Sequence, residues 1–324
     1  MRRMLLVAAL GLFAAAPSAL APAQAQSWPT RPVTVVVPFT AGTTSDVIAR
    51  AVFEKVGSAL GQQFVIDNRG GAGGNIGAAM VAKAAPDGYT LLLATTGPAA
   101  TNKLMYKNLT FDPQKDLVPI ALIGKAPILV VARPEAPVRD LKGLVEYAKA
   151  NPDKLNIGFP GNGTLGHITG VLLQQRADVK FGQVQYRGSA PIMTDLLGGH
   201  IDVAMDSMAA YVPNVKEGKL RALAIAGGKR WSGLPDVPTA SESGLPGFEA
   251  SVWYVVMAPA GTPREIVAKL NGEVNAYLKT PQAIEMFDKL GIQLEGGTDA
   301  DAAAFIAAEI AKWEPIVKAA KIEF

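Results

Sequence analysis

The stretch from Val33 to Leu60 constrains this chain more than any other. Val33-Thr34-Val35-Val36-Val37 is almost entirely β-branched and lacks polar alternation, which reads as a strand buried on both faces. Ile48, Val52, Val56 and Leu60 then recur every fourth residue, one apolar face of a helix. A strand covered on both faces needs helices on both sides of its sheet, so this unit commits the chain to a parallel α/β arrangement. The rhythm continues, with strands expected at residues 64–67, 90–95, 128–132, 155–159, 201–205, 220–226 and 252–257 and helices in most of the gaps. Thr262-Pro263-Arg264-Glu265 spells an N-cap, a proline at the first helical position and a Glu three residues after the cap. A chain of 324 residues is long enough for two such domains with a cleft between them, and the Gly/Pro/Ser-rich loops at 70–77 and 227–247 are short enough to lie within domains.

Residues 1–25 read as a cleaved signal peptide: Arg2 and Arg3, an apolar run from Met4 to Ala16, and Ala23-Gln24-Ala25 as the cleavage site. The run is shorter than the roughly 20 residues of a spanning helix, and Pro17 and Pro22 break the segment beyond it. With no Cys anywhere there is no thiol to lipidate and no disulfide, so a freely diffusing periplasmic protein is expected, not a lipoprotein. The formal net charge is +3, two units of it from Arg2 and Arg3, which gives no reason to expect nucleic acid.

Enzyme signatures are thin. There are two His, His167 and His200, far apart, with no H-E-x-x-H, no G-x-S-x-G and no phosphate-binding G-x-x-x-x-G-K-[ST]. Gly161-Asn162-Gly163-Thr164-Leu165-Gly166 has the spacing of a dinucleotide site, but Asp178 follows its last Gly by only twelve residues, short of the strand end where a ribose-binding acid belongs. No metal and no cofactor are expected. What remains is that a glycine loop opening a helix presents unpaired N–H groups and a partial positive charge to an anion. The loop 39–45 has the same form, with hydroxyls at Thr40, Thr43, Thr44 and Ser45 able to donate to carboxylate oxygens or to cap the helix. Neither loop holds Arg or Lys, so two such sites suggest jaws that grip one small anion with N–H groups, hydroxyls and water.

The chain resembles the solute-binding receptors of tripartite tricarboxylate transporters, the Bug proteins. The resemblance rests on Trp28-Pro29-Thr30-Arg31-Pro32, Val37-Pro38-Phe39 through Asp46 and Arg50, Asn68-Arg69-Gly70-Gly71-Ala72-Gly73-Gly74-Asn75-Ile76-Gly77 and Ala85-Pro86-Asp87-Gly88-Tyr89-Thr90. It extends through Gly163-Thr164-Leu165-Gly166-His167, Tyr186-Arg187-Gly188, Asp195-Leu196-Leu197-Gly198-Gly199 and Pro259-Ala260-Gly261-Thr262-Pro263. It implies a type II periplasmic-binding-protein fold: two α/β domains, each a mostly parallel sheet flanked by helices, joined by crossover strands. The first domain would comprise residues 26–122 and 228–324, the second 123–227, with crossings near 120–125 and 226–229.

The resemblance also implies a carboxylate pincer made by two loops and bridging waters. The matching positions are Phe39, Thr40, Ala41, Gly42, Thr43, Thr44 and Ser45 on one side and Gly161, Gly163 and Thr164 on the other, with Thr95, Thr96, Asp206 and Ser207 lining the cleft by position. In the usual family loop, Pro-Phe-x-Pro-Gly-Gly, a Pro stands where this chain has Ala41 and a Gly where it has Thr43, so carboxylate geometry at this end is expected to differ. Asp46 would cap its helix or meet a ligand ammonium; Asp206 would touch ligand or brace the wall. The implied function is a monomeric periplasmic receptor delivering an aliphatic dicarboxylate, tricarboxylate, aromatic acid or amino acid to a membrane permease. The competing readings are an exported enzyme using Asp46, His167 and Asp206 as acid/base groups, and an accessory protein of a two-component sensor.

Overall fold

The structure, a computed structural model, describes residues 28–324. The leader expected at residues 1–25 lies outside the described residues. In chain order the strands are β1 (Val33–Val37), β2 (Phe64–Asn68), β3 (Thr90–Thr95), β4 (Leu117–Ala132), β5 (Asn156–Phe159), β6 (Gly182–Gln185), β7 (Val203–Ser207), β8 (Arg221–Ala226), β9 (Ser251–Pro259) and β10 (Gln293–Leu294). The helices are α1 (Thr44–Leu60), α2 (Asn75–Ala82), α3 (Thr96–Ala99), α4 (Leu141–Ala150), α5 (Leu165–Ala177), α6 (Ser189–Leu197), α7 (Val212–Lys216), α8 (Arg264–Leu278), α9 (Pro281–Lys289) and α10 (Asp299–Ala320).

The β-branched run behaves as its composition requires. β1 lies between parallel neighbours β2 and β3. Its Val33, Val35 and Val37 belong to one core cluster together with Ile48, Val52 and Val56 of α1, while Val36 packs in a second cluster with Ala78 and Val81 of α2. Both faces are therefore covered, and no polar residue is needed on either. The strand order β2-β1-β3-β9-β4-β7-β5-β6 sets antiparallel β9 between β3 and β4, and β5 pairs in parallel with both β6 and β7.

β4 joins the two halves. Residues 117–127 pair with β9, and from Ile128 the strand pairs with β7 and β8 instead. On the return, the segment after β8 stays bonded to the second half: Ala240 N–H donates to Ile225 O at 2.8 Å and Ala250 N–H to Ala226 O at 2.9 Å, before β9 begins at Ser251. The pairing thus changes at Ile128 and Ser251, close to the first crossing read from sequence but about twenty residues beyond the second. Pro119, Gly124 and Pro127 hide the first half of β4 from a pattern search, and its register shifts at Pro119/Ala121 and Leu122/Gly124. The short strands β6 and β10 likewise carry no pattern that sequence reading picks out.

One helix start differs from expectation. α8 begins at Arg264 with Pro263 in the cap position; Ile266 and Val267 N–H both donate to Pro263 O, at 3.0 and 3.1 Å. The Thr262 hydroxyl instead donates to Pro259 O at 2.7 Å, closing the turn after β9.

Candidate functional site

β1 and β5 each end in a turn that feeds a helix, and the two turns have the same construction. In the first, Thr43 N–H and Thr43 Oγ1 both donate to Thr40 O, at 3.4 and 2.9 Å, around Gly42 at φ 79°. In the second, Thr164 N–H and Oγ1 both donate to Gly161 O, at 3.2 and 2.7 Å, around Gly163 at φ 77°. The positive φ explains the glycine at each place. Each Thr is the N-cap of its helix yet makes no side-chain cap bond; its hydroxyl is turned to the turn carbonyl instead. The first N–H groups of α1 and α5 therefore have no partner within their helices and remain available at the positive ends of the two dipoles.

Both helix starts open into one small cavity of ≈ 40 Å³. Nine of the expected residues line it: Phe39, Thr43, Thr44 and Ser45 from the first turn, Thr95 and Thr96 from the end of β3, Thr164 from the second turn, and Asp206 and Ser207 from the end of β7. The remaining five do not. Ala41 and Gly42 are exposed on the outer side of the first turn, and Thr40 hydrogen-bonds Arg187 O through its N–H (3.3 Å) and Oγ1 (3.2 Å). Gly161 borders a separate hollow beside Gly73 and Tyr106, and Gly163 packs on Asn102 and Tyr106. These residues shape the turns while their neighbours face the cavity.

Sequence reading missed Ser189, Tyr254, Val252, Pro160, Gly97 and Gly188 along the wall, whereas Leu165 and Gly166 belong to the glycine loop it singled out. Gly188, at φ 129°, caps α6, and the Tyr186-Arg187-Gly188 motif was the one available signal for Ser189. Tyr254 carried none: only the antiparallel return of β9 beside β3 brings it in.

Among the lining residues there is no Lys or Arg, and the carboxylate present is Asp206. Its oxygens accept from Ser207 N–H (2.7 Å), Tyr211 Oη (3.2 Å) and the Ser189 hydroxyl. Burial outweighs these donors and pushes the carboxyl up to about 6. Tyr254 Oη lies 2.9 Å from Ser207 Oγ, across from one half of the sheet to the other. The buried Thr44 hydroxyl sits beside the same phenol without a well-formed hydrogen bond.

Asp46 and His167 stand behind the turns. Asp46 accepts from Gly42 N–H at 2.9 Å and from Arg50 Nε at 3.1 Å; burial opposes its charge, but Arg50, Gly42 N–H and Asn68 prevail and hold the carboxyl below its usual range. His167 Nδ1 accepts from Gly163 N–H at 3.4 Å and its Nε2 lies 2.9 Å from Gln183 Oε1; burial pulls its pKa down. Of the three groups an acid/base reading would use, only Asp206 faces the cavity.

Two unpaired helix N-termini facing one neutral-to-acidic cavity constitute an anion-binding geometry. Residues 48–322 match the model of the tripartite tricarboxylate transporter family receptor. The chain belongs to that family. Among relatives of this receptor, protein BugT of Bordetella pertussis is 36% identical over 314 residues, 97% of this chain and 96% of BugT. Rpa4515 of R. palustris, solved with adipate, is 40% identical with a TM-score of 0.88, covering 91% of this chain and 99% of its own. MatC of Rhodopseudomonas palustris, solved with bound malate, is 36% identical with a TM-score of 0.86, covering 90% of this receptor and 100% of its own chain.

Proposed function

We propose that this receptor closes two lobes, residues 28–127 with 251–324 and residues 128–250, on a small organic carboxylate and delivers it to the membrane permease of a tripartite transporter. It acts in the periplasm as a monomer and catalyses no reaction. The observation that carries this reading is the pair of matched turns, which aim the N-termini of α1 and α5 into one cavity without a cationic side chain. Carboxylate oxygens would accept from the first N–H groups of both helices, with Thr44, Ser45, Thr95, Thr96, Ser189 and Ser207 supplying further donors. Withdrawal of the anion from water into fixed donors supplies affinity, and the closed shape supplies the signal the permease reads.

The structural neighbours solved with adipate and malate support an aliphatic dicarboxylate as the ligand. Among the described residues no helix is long and apolar enough to cross a membrane, which accords with a receptor that meets its permease from solution. Against an acid/base enzyme stands the engagement of Asp46 and His167, whose acceptor atoms hold the turn glycines.

The test is calorimetric titration of the mature chain, refolded to strip bound ligand, with adipate, malate, and aromatic and amino carboxylates, followed by NMR of the recovered ligand. One-to-one binding with the ligand recovered intact is expected. Conversion of the ligand to product, or no binding by any carboxylate, would overturn the reading.

A further inference from the structure

The cavity wall holds a carboxylate and no cation. Asp206 is 3% exposed, so a carboxylate ligand enclosed beside its ionised form would place two full negative charges together, out of water, against helix dipoles but no cationic side chain. A titratable wall group can relieve this by binding a proton.

The geometry points to Asp206 as the proton carrier of the site: it takes up a proton as the carboxylate binds and, as a neutral acid, donates its O–H to a ligand oxygen. This inference rests on the receptor reading above. The surroundings of Asp206 permit the exchange at one oxygen. Oδ1 is held by the Ser207 backbone N–H, a fixed donor that keeps it an acceptor. Oδ2 faces the Tyr211 hydroxyl, and the remaining contact is the Ser189 hydroxyl; hydroxyl donors can turn away or become acceptors, leaving Oδ2 free to carry the proton. Burial has already brought the unliganded carboxyl to about 6, so the proton is within reach near neutrality.

In the other titratable groups packed around Asp206, burial favours the neutral form. Tyr211, ahead of α7, and Tyr254, on β9, are both pushed up by burial and stay neutral. From α5, whose Gly166 lies against Met205 O, the nearest is His167, held on Gln183 and Gly163 and pulled below its ordinary value. A ligand that raises the Asp206 pKa therefore binds best below the unliganded value, about 6, and progressively less well as pH rises toward the liganded value.

The experiment is calorimetry of the mature receptor with adipate and with malate at about pH 7.5, in two buffers of different ionisation enthalpy, and again across roughly pH 6.5 to 8.5, for the natural protein and Asp206→Asn. Expected are proton uptake approaching one per ligand, a dissociation constant that rises up to about tenfold per pH unit, and a flat profile for Asp206→Asn that crosses to tighter binding at the alkaline end. The proton count needs no variant, so a folding defect in Asp206→Asn leaves it decisive. Binding without proton uptake, or a variant that keeps the natural slope, overturns the assignment while leaving the receptor reading intact. Absence of binding by either acid or any other carboxylate at every pH overturns both.

Discussion

Asp46 and His167 occupy the same place in two copies of one device. Each lies four residues after a turn glycine and accepts that glycine's N–H, Gly42 to Asp46 Oδ2 at 2.9 Å and Gly163 to His167 Nδ1 at 3.4 Å. An acid and an imidazole are interchangeable here because the turn asks only for an acceptor. Asp46→Ala and His167→Ala should each speed hydrogen exchange at the matching glycine amide and weaken ligand binding by about 1 kcal/mol, without removing a ligand contact. Unchanged exchange at both amides would show that the turns hold without these acceptors.

The hydroxyls of the two turns should separate by role. Thr43 and Thr164 donate to turn carbonyls, so valine at either should lower stability by about 1 kcal/mol and change affinity little. Thr44, buried on the wall without a well-formed hydrogen bond, is free to donate inward. Thr44→Val should leave stability nearly unchanged and weaken carboxylate binding by about 1.5 to 3 kcal/mol, the range for a hydrogen bond to a charged group. Chemical denaturation and calorimetry on the same three variants decide it, and equal affinity losses in all three would refute the division.

Alanine at the two turn glycines should cost different amounts. Both have φ near 80°, a penalty of about 1 to 2 kcal/mol for an L-residue. At Gly42 a Cβ meets nothing closer than 3.8 Å, whereas at Gly163 it would stand 2.7 Å from Asn102 Oδ1 and 2.8 Å from the Tyr106 ring. Gly163→Ala must therefore also push the second turn away from residues 102–106, where Tyr106 Oη donates to Asn162 O at 2.7 Å. Its ligand affinity should fall well below that of Gly42→Ala, as measured by titration of both.

Unliganded stability should respond to pH with opposing signs. Asp206 is raised from 3.8 to about 6, so its contribution is complete below the lower value and is lost as pH rises through about 6, an effect of up to ~3 kcal/mol. His167 and Asp46 are lowered, so theirs are present above their ordinary values, 6.5 and 3.8, and are lost as pH falls through the depressed ones. Asp206→Asn should be more stable than the natural protein at about pH 8 and lose that advantage near pH 4. Denaturant midpoints across the range test this, and parallel profiles for the two proteins would contradict it.

Much of this was written locally. The run Val33-Thr34-Val35-Val36-Val37, the four-residue period of α1, and the glycine and threonine of each turn act on neighbours within a few residues, so backbone sterics and burial declare them in the chain itself. The capping alternative for Asp46 could be stated from sequence for the same reason, although the atom it caps is Gly42 N–H and its ion partner is Arg50. The equivalence of His167 was invisible, because nothing in the residue types relates an imidazole to a carboxylate until both are seen accepting the same N–H.

The cavity itself belongs to the tertiary structure. Thr43 and Thr164 are remote in the chain, and what brings them to one space is the exchange of β4 from β9 to β7 and β8 at Ile128. Ser189, Tyr254 and Ser207 reach the wall through the same long-range pairings, and the pKa of Asp206 is set by the burial those pairings impose. A strand's partner depends on which other strands can present matching edges and faces after collapse, and residue order along one strand does not encode that choice. The chain thus writes its two matched turns in local chemistry, and the sheet decides that they face one cavity.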